Sequence, residues 1–178
     1  MVDQAIRHLA EIRSEGGRVF AAGLGGSAGN ASHLANDFRK LAGIECYAIA
    51  DNVSELTARI NDDGWGTAMR GYLQVSALSA SDVLVVLSVG GGDEERGVSI
   101  ELVEAMKYAR EAGASIIAIV GRDGGFAGRV ADFPIVIPTV DESLTTPMAE
   151  SFQSLVWHAM VSHPDLAVSR AHWESLTS

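Results

Sequence analysis

Short runs of apolar and β-branched residues alternate along the chain with stretches whose apolar positions recur at helical spacing. Five runs read as strands: Arg18–Gly23, Cys46–Ala50, Asp82–Ser88, Ser115–Val120 and Phe133–Ile137. Between them the spacing predicts helices over about 4–15, 28–42, 53–60, 66–79, 95–112 and 145–162. A short helix follows Gly125, and a short helical tail closes the chain. Gly16-Gly17, Gly43 and Gly113 supply helix stops. The run Val83-Leu84-Val85-Val86-Leu87 is apolar without a break, which predicts burial on both faces, as in a parallel sheet. Pro134 has no amide to donate, so its strand belongs near a sheet edge. This alternation predicts a single α/β domain over residues 1–178. It is a doubly wound, five-stranded parallel sheet flanked by helices in three layers, flavodoxin-like. Ligands in such folds sit beyond the carboxyl ends of the strands, where the loops 23–30, 88–93 and 121–125 fall.

With 178 residues, 47% of them hydrophobic, the chain is large enough to bury a core. A net charge of −10 argues against nucleic acid and against anionic membranes. There is one cysteine, Cys46, inside an apolar run, so no disulfide framework forms within the chain; this fits a reducing compartment. No apolar stretch reaches the roughly 18–20 residues of a membrane span. The amino-terminal residues are polar and lack a signal-peptide apolar region. The expectation is a cytoplasmic protein with no nucleic-acid or membrane partner.

Composition leaves the chemistry to particular residues. The strand ending at Gly23 runs through a glycine turn into a helix: Gly23-Leu24-Gly25-Gly26-Ser27-Ala28-Gly29-Asn30. Free amides and the positive helix end make such a turn an anion cradle, with the Ser27 hydroxyl at its edge. His33 and Asp37 follow, four apart and so on one helix face. Ser88-Val89-Gly90-Gly91-Gly92-Asp93 is a second turn of this kind, and three glycines would let the main chain approach a ligand closely. The plain alternative is a flexible turn, and Asp93 and Glu94 would repel a phosphate unless they face outward.

The last helix carries Glu150 and His158, a little over two turns apart and so on nearly the same side. A lone histidine on an apolar helix is more often a hydrogen-bonded core residue. The pair gains meaning only if it meets His33 and Asp37 in space. The four would then be nitrogen and oxygen ligands suited to zinc or a similar divalent ion. The first turn fits the dinucleotide spacing Gly-x-Gly-x-x-Gly only loosely, and no P-loop motif is present. His8, His163 and His172 read as surface or terminal residues, and Trp65, Trp157 and Trp173 as packing residues.

Taken together these motifs resemble the sugar isomerase (SIS) domain, closest to the phosphoheptose isomerases. The matching residues are Gly25-Gly26-Ser27-Ala28 with His33-x-x-x-Asp37, and Ala50-Asp51 with Leu56-Thr57-Ala58 and Asn61-Asp62. The Asp82-Val83-Leu84 strand leading to Ser88 also matches, as do Gly121-Arg122-Asp123-Gly124-Gly125 and Glu150-x-x-Gln153 with His158. The resemblance implies a homotetramer that isomerises sedoheptulose 7-phosphate to D-glycero-D-manno-heptose 7-phosphate through an enediolate. It implies Asp37 as base and His158 as acid, with His33, Asp37, Glu150 and His158 holding zinc. It places the phosphosugar on Gly25, Gly26, Ser27, Asn61, Asp62, Ser88, Gly90, Gly91 and Gly92. The chain departs from the family in having Asp37 for Glu, Glu150 for Gln, and Pro147 for an acidic residue. The family loop Ser-Thr-Ser-Gly-Asn-Ser is replaced by Ser88–Asp93, which lacks three hydroxyls. Two other readings stand beside this one: a non-catalytic SIS module that binds a sugar phosphate or a partner protein, and an isomerase of another phosphosugar.

Overall fold

The computed structural model describes residues 1–169; the expected helical tail, His172 and Trp173 lie outside the described residues. Five strands, β1 (Arg18–Gly23), β2 (Glu45–Ala48), β3 (Val83–Ser88), β4 (Ser115–Val120) and β5 (Phe133–Val136), form one sheet. Every pairing is parallel and the order is β2-β1-β3-β4-β5. The unbroken apolar run of β3 places it at the centre, buried at all six residues. Pro134 sits on the edge strand β5, as its missing amide leads one to expect.

Alternate side chains of each strand feed two cores. Val19, Ala21, Val83, Val85 and Leu87 pack with Leu34 and Phe38 of α2 (Gly26–Lys40), and with Ile6 of α1 (Val2–Ser14) and Trp157 of α7 (Thr145–Val161). Phe20, Ala22, Leu84 and Val86 face the opposite way. They pack with Leu73 of α4 (Ala68–Val75), Leu102 and Met106 of α5 (Ile100–Glu111), and Ala127 of α6 (Gly125–Val130). The remaining helix, α3 (Val53–Asp63), has no buried residue. The chain direction of the crossovers reverses between β1 and β3, so the loops after these two strands diverge and open a crevice.

Beneath the sheet's opposite end, Asp82 is 2% exposed and accepts five hydrogen bonds. They come from the Arg18 amide, Nε and Nη2, and from the Ser79 amide and hydroxyl. Burial pushes its pKa up, but the Arg18 guanidinium and these donors outweigh that and hold the carboxyl below its ordinary value of 3.8.

Two element boundaries differ from expectation. The helix expected over about 95–112 starts at Ile100. Residues 93–98 instead close a tight antiparallel loop: the Asp93 and Val98 amides bond each other's carbonyls at 2.9 and 3.0 Å, and the Asp93 carboxylate accepts the Arg96 amide at 3.0 Å. Gly97 takes the positive φ of +65° that this turn requires. The helix expected over about 66–79 is a short 3-10 turn, Trp65–Thr67, followed by α4, which ends at Val75.

Candidate active site

α2 leaves the β1 turn at Gly25, whose φ is +56°, and lays Ala31, Leu34, Ala35 and Phe38 on the core. That rotation carries His33 to the surface and Asp37 to its margin, where Asp37 is 8% exposed. α7 packs against α2 and brings His158 to the same place. Asp37 Oδ2 lies 3.8 Å from His33 Nε2 and 3.6 Å from His158 Nε2, while Asn36 Nδ2 donates to Asp37 Oδ1 at 2.8 Å. The buried Trp157 lies against both imidazoles, with ring centroids 3.6 Å from His158 and 4.7 Å from His33. The two imidazoles stand edge to face at 5.2 Å.

Separations of 3.6 and 3.8 Å are too long for hydrogen bonds. They are close to what a small ion between the groups requires: donors bound at about 2.1 Å around a tetrahedral zinc stand about 3.4 Å apart. One donor atom from each of His33, Asp37 and His158 lies within 4.8 Å of the others. Two imidazoles and one carboxylate are the donor set of catalytic zinc sites, which keep a further position open. The residues therefore fit a divalent ion.

Glu150, expected as a fourth ligand, is not in this group. Its carboxylate lies over Gly26 in the first turn of α2, where a Cβ on residue 26 would overlap it. The positive end of the α2 dipole favours a carboxylate there. Glycine at 26 thus makes room for Glu150. Ser27 is also engaged: its hydroxyl donates to Gln153 Oε1 at 3.0 Å, and Asn30 Nδ2 donates to the same oxygen at 3.0 Å. Ser154 Oγ donates to Asn30 Oδ1 at 2.8 Å, completing a polar clamp between α2 and α7.

A cleft of about 990 Å³ opens beyond the ends of β1, β3 and β4. Leu24, Ser27, Ser88, Gly90, Gly92, Ser99 and Arg122 line it, so the two loops expected at these strand ends do meet in one hollow. The glycine loop does not play the part expected of it throughout. A Cβ on Gly91 would overlap the Gly124 carbonyl oxygen, and one on Gly92 would come within 2.9 Å of Val103. The Gly91 and Gly92 carbonyls accept the Ala127 and Phe126 amides at 2.9 and 2.8 Å. Close approach to the 121–127 segment, rather than to a ligand, explains these two glycines. Ser88 Oγ accepts the Gly91 amide at 3.0 Å, which leaves the Ser88 hydroxyl proton free to turn into the cleft. The Gly90 and Gly92 amides have no partner among the described residues.

Asn61 and Asp62 lie on exposed α3, where the Asn61 amide bonds the Asp62 carboxylate at 2.7 Å; neither lines the cleft. The structure thus unites His33, Asp37 and His158, and separately Ser27, Ser88, Gly90 and Gly92. It leaves Gly25, Gly26, Gly91, Asn61, Asp62 and Glu150 outside both groups. Several cleft residues lay outside the expected site, among them Ser99, Arg122, Thr139 and Thr146. Ser99 stands at the amino end of α5 on the cleft wall, without a capping bond from its side chain, and a serine before an apolar helical run is a readable signal of that position. Arg122 follows β4 with a left-handed φ of +52°, inside the 121–125 strand-end loop and motif that the sequence marks, without being singled out there.

The SIS domain family model matches residues 1–121. α7 lies beyond that stretch, so the place of His158 rests on the geometry. The chain is 35% identical over 157 residues to a phosphoheptose isomerase of Rhodospirillum rubrum, covering 85% of this chain and 77% of the relative. It is 37% identical over 155 residues to the lincomycin biosynthesis protein LmbN of Streptomyces lincolnensis. That match covers 83% of this chain, which spans only 56% of LmbN. The phosphoheptose isomerase GmhA of Neisseria gonorrhoeae superposes with a TM-score of 0.78 at 28% identity, over 90% of this chain and 82% of that one. These matches accord with the parallel sheet described above: the chain belongs to the SIS domain family and is similar to its phosphoheptose isomerases.

Proposed function

We propose that this phosphosugar isomerase interconverts sedoheptulose 7-phosphate and D-glycero-D-manno-heptose 7-phosphate. The observation that carries the reading is the meeting of His33, Asp37 and His158 from α2 and α7, with the first turn of α2 lining the cleft at Ser27. Six residues of α2 separate Ser27, on the cleft wall, from His33, a rise of roughly 9 Å. A phosphate in the cleft and a carbonyl at the histidines are then joined by a sugar chain lying along α2.

Asp37 takes the proton from the carbon next to the carbonyl, and His158 gives a proton to the neighbouring oxygen. Asp37 suits the first task because one carboxylate oxygen is held by Asn36 while the other stands near both imidazoles without bonding either. His158 suits the second because it is half-exposed and its ring rests on Trp157, which fixes its plane. A divalent ion held by His33, Asp37 and His158 would supply Lewis-acid stabilisation of the enediolate oxygens; ligation of Asp37 and His158 competes with their acid–base roles, because the same side-chain atoms would hold the ion. Phosphate binding falls to the Ser88 and Ser99 hydroxyls and the Gly90 and Gly92 amides, at the amino end of α5.

Self-association completes the reading. Phe152 and Leu155 project from α7 at 41% and 60% exposure on the helix that carries His158, and α3 has an apolar face with nothing buried. Covering both faces with further copies gives the homotetramer the family resemblance implies, which light scattering tests. A second reading is an isomerase of a different phosphosugar. It is favoured by the 88–99 loop, where glycines and a tight turn stand in place of hydroxyls, and by the likeness to LmbN. Incubation of the purified chain with a panel of ketose phosphates, with and without zinc, separates the two. Aldose formed from sedoheptulose 7-phosphate in preference to the others supports the first. Turnover of another ketose phosphate alone supports the second.

A further inference from the structure

We propose that Arg122 is the cation that receives the substrate's phosphate, in the place that loop hydroxyls would otherwise fill; the inference rests on the phosphosugar reading above. The cleft needs such a group. Its other donors are the Ser88, Ser99, Thr139 and Thr146 hydroxyls and the Gly90 and Gly92 amides, none of which carries a charge; the Ser27 hydroxyl is held by Gln153 and the Thr145 hydroxyl by the Glu142 carbonyl. Its wall also carries Asp93, Asp123 and Glu142, in a chain of net charge −10. A phosphate dianion entering that field from water needs a fixed positive charge against it.

Three arginines line the cleft; one is ion-paired and one lies against an aromatic ring. Arg96 Nε lies 3.6 Å from Asp93 within the tight loop, and the Arg129 guanidinium lies 5.9 Å from the centre of the Phe126 ring. Arg122 has no hydrogen bond or ion pair among the described residues. Its stem passes beside Gly90, where an added Cβ would stand 3.9 Å from Arg122 Cδ. The stem thus runs along the Gly90 end of the glycine loop, whose Gly90 amide also lacks a partner among the described residues. Its fork of donors suits bidentate contact with phosphate oxygens.

The backbone gives an independent sign. Arg122 has a φ of +52°, a left-handed conformation that costs a side-chain-bearing residue free energy. The neighbouring bonds impose it: the Gly121 amide donates to the Ser88 and Val89 carbonyls at 3.3 and 3.2 Å, and the Gly124 amide to Gly121 at 3.0 Å. Glycine would sit here without strain. An arginine does instead, and no contact within the described protein offsets the strain. A contact made to ligand does.

The test uses inorganic phosphate and the full chain, with binding read by titration calorimetry and thermal shift. Wild type binds phosphate and its melting temperature rises. Arg122→Gln weakens phosphate binding at least tenfold, Arg122→Lys recovers part of the loss, and Arg96→Gln stays within threefold of wild type. Arg122→Gly melts higher than wild type in phosphate-free buffer, because strain is gone, yet loses phosphate binding like the glutamine variant. With the substrate that wild type turns over, Arg122→Gln raises KM at least tenfold while kcat changes less than threefold, as loss of uniform binding requires. Phosphate affinity within threefold of wild type in Arg122→Gln overturns the proposal. So does a lower phosphate-free melting temperature in Arg122→Gly, which would make the arginine a structural support. Because phosphate is measured without sugar, a wild type that binds phosphate through Arg122 but leaves sedoheptulose 7-phosphate unchanged refutes only the choice of sugar.

Discussion

Asp37→Asn separates the chemistry of the candidate site from its contribution to folding. The substitution keeps the shape of the side chain and removes its charge and its basicity. Oδ1 accepts one hydrogen bond, from the adjacent Asn36, and Oδ2 stands 3.6 and 3.8 Å from two imidazoles without bonding either. So little is held by this carboxylate that the amide should change stability by less than about 1 kcal/mol. Its loss as general base should lower turnover by roughly 10²–10⁴, or about 2.7–5.4 kcal/mol of barrier at about 1.36 kcal/mol per tenfold. The assay is kcat on the substrate that wild type turns over, in zinc-supplemented buffer, with zinc content and melting temperature measured on the same samples. Retention of more than a tenth of wild-type kcat at equal zinc content would refute the base assignment. A fall of several kcal/mol in stability would show instead that the carboxylate is a structural element.

Other expectations follow from single contacts. Glu150→Gln should leave zinc affinity within threefold and lower stability by about 0.3–1 kcal/mol, the worth of a carboxylate at a helix amino end; calorimetry showing a tenfold loss of zinc affinity would restore Glu150 as a ligand. Gly91→Ala places a methyl group against the Gly124 carbonyl at a φ of +73°, and should cost roughly 3 kcal/mol in chemical denaturation; a cost below about 1 kcal/mol contradicts the packing of the two loops. Asp82→Asn should cost about 3 kcal/mol at neutral pH, because Arg18 loses its buried partner. Since the folded state lowers the Asp82 pKa, this stability is present above the ordinary value of 3.8 and is lost as pH falls through it toward the folded value. The gap in melting temperature between wild type and Asp82→Asn should therefore narrow on acidification below about pH 5, and a gap constant down to pH 3 contradicts the assignment.

The sheet was legible because its signal is local. Val83–Leu87 and Ser115–Val120 are unbroken apolar runs, and nothing elsewhere in the chain competes with that pattern. The start of α5 was not legible. Glu94, Glu95 and Arg96 are good helix formers, and only the hydrogen bonds between Asp93 and Val98 turn them into a tight loop. The pairing of His33 with Asp37 could be read from their spacing, whereas their meeting with His158 depends on the packing of α7 on α2. The side of α7 shared by Glu150 and His158 suggested a fourth ligand. The space over Gly26, which no periodicity encodes, takes that carboxylate instead. The 121–125 loop was legible as a strand-end loop, but Arg122 was not singled out within it, because its significance lies in a backbone angle and in the partners it lacks.

Hydrogen exchange during turnover tests the central claim most directly. Wild type is incubated with sedoheptulose 7-phosphate in heavy water, and the sugar is followed by proton NMR and mass spectrometry. Deuterium should appear on the carbon beside the carbonyl as aldose forms, and Asp37→Asn and His158→Ala should slow both at least a hundredfold. Aldose formed at wild-type rate by both variants, or no exchange and no aldose from zinc-loaded wild type, would contradict the account.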